Sequence, residues 1–267
     1  MKLHNTRVVI TGGARGLGLA FARACLARGA RVVLLDRDEA ELDRAVTALG
    51  PHVVGHRLDV TDPAAVLALR DEILADGPVD VLVNNAGVVF GGAFADVPLA
   101  KHLTTFNVNL GGLVAMTHAF LPHLESRPAA TVLNVSSASA FVALPFGSSY
   151  AASKWGVLGL SESLDEEMKE RGKRHVRILV LCPSYTATGL FEGATSAVGT
   201  WMLTPEGVAE AGSRMIERGT SRKVLPWTAA VLLTGFGWLP RQLFHAIARL
   251  FGVSRSMLGW KGRSGGS

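Results

Sequence analysis

Apolar residues along this chain fall in short continuous runs separated by longer stretches of helical spacing. The runs at 7–11, 31–35, 53–58, 79–83, 131–135 and 176–181 read as strands, mostly apolar and continuous rather than alternating. A strand with no polar side has no face for water, so the pattern predicts a parallel sheet covered by helices on both faces. Between the first two runs, Leu17, Ala20, Phe21, Ala24 and Cys25 recur at helical spacing, with Arg23 and Arg28 on the other side. Similar segments follow near 39–49, 63–74, 99–124 and 150–171. Thr204, Pro205 and Glu206 read as an N-cap with proline in the first turn, opening another helix to about Arg218. Strand and helix alternating about six times predict one doubly wound α/β domain over 1–223, with 224–267 as its C-terminal extension.

Composition agrees with a single folded domain. Hydrophobic residues make up 48% of 267 and charged residues 18%, enough apolar material for a core. Two cysteines, Cys25 and Cys182, cannot build a disulfide framework, and a reducing, cytoplasmic setting is expected. No apolar run precedes the first strand as a signal peptide would. His52 and His56 are four apart but flank a strand, so no metal pair is expected. The net charge is +5, yet the lysines and arginines are scattered among acids without the stripe that a nucleic-acid reader needs.

The chemistry begins where the first strand meets the first helix. Thr11-Gly12-Gly13-Ala14-Arg15-Gly16-Leu17-Gly18 puts glycines where backbone must approach a ligand closely, ahead of a helix N-terminus that attracts an anion. In this strand-to-helix context the loop suits the pyrophosphate of a dinucleotide and makes the sheet Rossmann-type. Asp36 closes the second strand, where a carboxylate can accept hydrogen bonds from ribose hydroxyls and repel a 2′-phosphate. NAD is therefore the expected cofactor, with NADP the alternative that Arg15 and Arg37 would favour.

The G-x-x-x-G-x-G spacing of Gly12, Gly16 and Gly18 resembles that of the short-chain dehydrogenase/reductase family. The resemblance continues in order through Asp59-Val60, Asn84-Asn85-Ala86-Gly87, Asn109, Asn134-Val135-Ser136-Ser137, Tyr150-Ala151-Ala152-Ser153-Lys154 and Pro183, covering about the first 220 residues. It implies an oxidoreductase with Asp59 and Val60 beside the adenine, and with Asn85, Ala86 and Gly87 bordering the cofactor. Asn84 and Asn85 can equally act as turn formers. Tyr150 and Lys154, four apart on one helical face, read as the proton-transfer residue and the ammonium that stabilises its phenolate, Lys154 also holding the nicotinamide ribose. Ser137 is the expected orienter of the substrate oxygen, ahead of Ser136 and Ser139. The resemblance implies that Asn109 kinks its helix and holds a water linking Lys154 to solvent, with Asn107 as second choice. Thr186 and Thr188 fall where the family places nicotinamide contacts, although Ser184 stands where a glycine is frequent.

The segment 189–203 is apolar and glycine-containing, as a lid would be. Leu144, Pro145, Phe146, Leu190, Phe191, Trp201 and Met202, with Ser137 and Tyr150, are the expected lining of a pocket for a hydrophobic secondary alcohol or ketone. An alternative of another class is an idle cofactor-binding redox sensor. Ala152, Gly156, Gly159 and Ser163 would let the helix from Tyr150 pair closely with a second copy, predicting a homodimer or dimer of dimers. In the extension, Leu243, Phe244, Ile247, Leu250 and Phe251 form an apolar face opposite Arg241, Gln242, His245 and Arg249. It is expected to cover the pocket or a subunit interface, with at most peripheral membrane contact anchored by Trp227 and Trp238.

Overall fold

A computed structural model describes residues 1–196, 198–235 and 239–261. In chain order the elements are β1 (Arg7–Thr11), α1 (Gly16–Leu26), β2 (Arg31–Asp36), α2 (Glu39–Leu49), β3 (Val53–Arg57), α3 (Pro63–Ala75), β4 (Val81–Asn84) and α4 (Leu99–Phe106). A π-helical turn (Asn107–Gly112) leads into α5 (Leu113–Glu125), β5 (Ala130–Val135), α6 (Ser148–Glu170), β6 (Val176–Pro183), α7 (Pro205–Arg218), β7 (Arg222–Leu225), α8 (Trp227–Gly235) and α9 (Arg241–Leu250).

Local chemistry sets several boundaries. Asp62 accepts hydrogen bonds from the N–H groups of Ala64 and Ala65 at 3.0 and 3.1 Å, with Pro63 supplying the first residue of α3. Thr204 caps α7 in the same way, and Gly219 ends it in the left-handed conformation at φ 72°.

All seven strands are parallel, in the order β3-β2-β1-β4-β5-β6-β7. Adjacent residues of β1 serve opposite layers: Val8 and Ile10 pack into the core beneath α1, α2 and α7, Val9 into the core beneath α3, α5 and α6. The order reverses between β1 and β4, which opens a crevice at the carboxyl ends of the strands.

Two features depart from the sequence reading. The edge strand β7 carries Arg222 and Lys223 in four residues, so its apolar signal is too short to detect. The expected single helix at 99–124 is interrupted by the π-helical turn. In the extension, Trp238 lies outside the described residues. Among the described residues no helix is long and apolar enough to cross a membrane.

Candidate active site

The loop from β1 to α1 is held open by glycine geometry. Gly12 and Gly16 take φ of 62° and 53°, which L side chains rarely adopt. A Cβ on Gly18 would collide with the Gly12 carbonyl oxygen. No side chain caps α1, and Arg15 at its N-cap is extended, so the first-turn N–H groups face the crevice. Leu17 packs partly against the core.

Neighbouring strands clamp this loop from both sides. The Thr11 hydroxyl accepts from the N–H groups of Asn85 and Ala86, each at 3.0 Å, and the Asn85 amide donates to the carbonyls of Thr11 and Gly12. Asp36 accepts from the Ala14 N–H at 3.1 Å and from the Asp38 N–H at 3.2 Å, so it braces the loop. Arg15 pairs with Asp38 at 3.5 Å, while Arg37 is exposed and bears on Asp59. Asp59 accepts from the N–H and hydroxyl of Thr61, and Val60 is buried against Gly112. Asn84 lies deeper, its amide donating to Thr117 and Asn134 at 2.9 Å each, which makes it a core bracket. A glycine-floored loop, an uncapped helix end and a carboxylate ending β2 together fit a dinucleotide.

Four side chains converge where β5, α6 and the π-helical turn meet. The extra residue in that turn directs Asn109 inward, 1% exposed, accepting from the Val88 N–H at 2.8 Å and donating to the Val88 carbonyl and the Ser153 hydroxyl. A Cβ on Gly87 would stand 3.3 Å from Asn109 Oδ1 and 3.7 Å from Lys154 Nζ, so only glycine leaves that space clear. Asn107 is exposed and points elsewhere.

Lys154 Nζ donates to the Val135 carbonyl at 2.9 Å and lies 5.7 Å from the Tyr150 ring centroid. Burial pulls the Lys154 pKa down to about 8, with Cys182 acting the other way. Burial likewise pushes the Tyr150 phenol above its ordinary value, although a hydrogen bond from Ser137 opposes the rise. Tyr150 is a protonated phenol at neutral pH. Ser136 is committed to the Lys154 carbonyl at 2.8 Å, and Ser137 itself accepts from the Ser139 N–H. Cys182 is fully buried, its thiol raised to about 12 by desolvation, which leaves it inert.

Tyr150 and Ser137 open onto an apolar cavity. Leu144 and Phe191 line it, the Phe191 ring standing edge-on to both Tyr150 and Tyr185. Of the other expected lining residues, Phe146 and Leu190 pack in the same apolar cluster as Leu144 and Tyr150 without themselves lining the cavity. Phe146 takes φ 63° and its carbonyl accepts from the Gly92 N–H; Pro145 borders a separate shallow groove; the Leu190 carbonyl receives the Trp260 indole; Trp201 and Met202 are 51% and 40% exposed. Phe244, Ile247, Ala248 and Phe251 of the extension line the cavity instead. The segment 189–203 is tied to the extension by backbone bonds from Thr195 to Ser256 and from Val198 to Phe251, each 2.9 Å.

Tyr185 was not anticipated. Its hydroxyl donates to Ser256 at 2.8 Å, fastening the cavity wall to the extension, and its rarity was the available signal: the chain has two tyrosines and both face this cavity. Pro183 ends β6 against Leu225, and the Ser184 N–H donates to the Leu225 carbonyl, so β7 fixes the backbone where glycine is frequent. Thr186 is buried and bridges to Leu203, while Thr188 stands against Gly16. Among the described residues no cluster could hold a metal.

The chain matches the short chain dehydrogenase family model over residues 6–198. It is 32% identical over 265 residues to ketoacyl reductase HetN of Nostoc sp., covering 94% of this chain and 91% of that protein. It is 34% identical to dehydrogenase/reductase SDR family member 7B of Rattus norvegicus, covering 74% of this chain and 63% of that longer protein. A short chain dehydrogenase/reductase from Burkholderia phymatum, solved with NAD, superimposes with a TM-score of 0.79 at 28% identity over 88% of this chain and 92% of that one. Another from Burkholderia cenocepacia, solved with NADP, gives 0.79 at 26% identity over 92% and 98%. With a loop, a sheet order and a Ser137-Tyr150-Lys154 cluster of that kind, the chain belongs to the short-chain dehydrogenase/reductase family.

Proposed function

We propose that this chain is an NAD-linked oxidoreductase that interconverts an apolar secondary alcohol and its ketone. The observation that carries the reading is that Ser137 and Tyr150 line one apolar cavity, with Lys154 buried on the same helix as Tyr150. A dinucleotide would lie along Gly12, Arg15, Gly16, Leu17 and Gly18, with Asp36 and Arg37 at its adenosine ribose and Asp59 and Val60 beside the base. Asn85, Ala86 and Gly87 would border its middle, and Pro183, Thr186 and Thr188 its nicotinamide. When bound, the nicotinamide supplies or accepts the hydride.

In reduction, the Tyr150 hydroxyl donates its proton to the forming alkoxide, and Ser137 hydrogen-bonds the same oxygen as its charge develops. In oxidation, Tyr150 receives that proton. Lys154, cationic over most molecules at neutral pH, stabilises the transient phenolate, and Asn109 fixes the turn behind it. An acid in this position would face the 2′-phosphate of NADP with like charge, which supports NAD, and the Arg15-Asp38 pair leaves Arg15 less free to bind that phosphate. A redox sensor would need only the loop, so the four converged side chains favour catalysis. Among the expected lining residues, Leu144 and Phe191 act on substrate; the apolar wall favours ring-bearing or long-chain ketones over sugars. The test is a screen of steroidal, aryl and long-chain ketones against sugars with NADH and NADPH. Oxidation of NADH driven by an apolar ketone supports the reading; activity confined to sugars, or no turnover with any carbonyl, overturns it.

A further inference from the structure

The extension was read as one apolar face, but the structure divides it in two. Phe244, Ile247, Ala248 and Phe251 of α9 and the turn after it point into the cavity, joined by Ala229 and Leu233 of α8. Leu243 and Leu250, one heptad apart, point outward at 49% and 82% exposed. On α8 the outward residues are Trp227 and Val231, 69% and 57% exposed and one turn apart. The inward sides of both helices line the cavity, so these four apolar side chains are left on the outward, exposed side of the described residues.

The charge of the same region is one-sided. Scattered as the cations are over the whole chain, eight lysines and arginines follow Glu217 and no aspartate or glutamate does; of these Arg218 adjoins Glu217 and Arg222 pairs with Glu162 at 2.7 Å. Residues 1–217 carry 22 acids against 19 cations, so the positive balance of the protein resides in its last fifty residues. Lys223, Arg249, Arg255 and Lys261 are exposed there. An isologous contact with a second copy through this face would set cation against cation, whereas an anionic surface complements it.

We propose that the outward faces of α8 and α9 dock on an anionic phospholipid surface, Trp227, Val231, Leu243 and Leu250 entering the interface and the surrounding cations meeting headgroups. The docked helices do not span; they lie in the interface as amphipathic helices do, with the cavity on their protein side. This docking is independent of the reaction proposed above and is read without turnover.

The experiment is flotation of the full chain with vesicles of phosphatidylcholine alone and of phosphatidylcholine with phosphatidylglycerol, at low and high salt. The expected result is recovery with the anionic vesicles, little with the neutral ones, and weakening by salt. The double variant Trp227→Gln, Leu250→Gln should lower recovery at least about tenfold while NADH binding is retained. A second variant, Arg249→Gln with Arg255→Gln, should weaken recovery with the anionic vesicles only. No recovery, equal recovery with both vesicle types, or variants that float like the parent would overturn the proposal. So would sedimentation showing that the Trp227→Gln, Leu250→Gln change splits a dimer without altering flotation.

Discussion

The Lys154 ammonium lies 5.7 Å from the centroid of the Tyr150 ring, one turn along α6, and both side chains are about 95% buried. Desolvation therefore acts on both groups, and for Lys154 it carries a cost in stability. The folded pKa is about 8 against an ordinary 10.5, so between those values the unfolded chain binds more protons and stability rises with pH. Below about pH 8 the penalty is fully present. Lys154→Met removes it and loses the Val135 hydrogen bond, leaving a net gain on the order of 1–2 kcal/mol at pH 7 that shrinks towards pH 10. Denaturant unfolding at the two pH values checks this; a variant less stable than the parent at pH 7 contradicts it, and turnover should be lost in either case.

Asp36 should make NADH the tighter ligand by at least about tenfold over NADPH. Because its carboxylate also braces the loop through Ala14 and Asp38, Asp36→Ala should weaken both cofactors and narrow the gap between them. Calorimetric titration decides the matter, and tighter binding of NADPH by the parent would reverse the assignment.

The cavity wall supplied by α9 sets substrate size. Phe244→Ala should raise kcat/KM for bulky apolar ketones relative to small ones by about tenfold, since the ring it deletes occupies the wall. An unchanged ratio would place substrate elsewhere.

Self-association should run through α6. Ala152, Gly159 and Ser163 are exposed on one side of it near Trp155, whereas Gly156 packs on Leu110 inside the protomer. A Cβ on Gly159 meets nothing within 4 Å, so Gly159→Arg should leave the fold intact while blocking close helix pairing. Sedimentation should show a dimer or tetramer for the parent and monomer for the variant; a parent that is monomeric at micromolar concentration defeats the expectation.

Much of this arrangement is legible in the sequence because its signals are local. Strands buried on both faces read as unbroken apolar runs, and the glycine loop announces itself between strand and helix. Asp62-Pro63 and Thr204-Pro205 mark helix starts by hydrogen bonds made within three residues. What escapes depends on tertiary context. The π-helical turn around Asn109 leaves no break in periodicity, because a single extra residue shifts the apolar stripe only slightly. The split of α9 into a cavity side and an outward side needs the position of the cavity, since Phe244 and Leu243 are equally apolar by composition. Trp201 and Met202 read as pocket residues for the same reason, although they stand exposed outside the cavity lining.

The central claim is that the Tyr150 hydroxyl transfers the proton, and turnover of Tyr150→Phe tests it most directly. The substitution removes one oxygen from a ring otherwise held by Phe191 and the cavity wall, so packing and NADH binding should be preserved. With a ketone identified by the screen, kcat should fall at least about a hundredfold while the Kd for NADH stays within about twofold of the parent. A variant that turns over at near-parental rate would contradict the account.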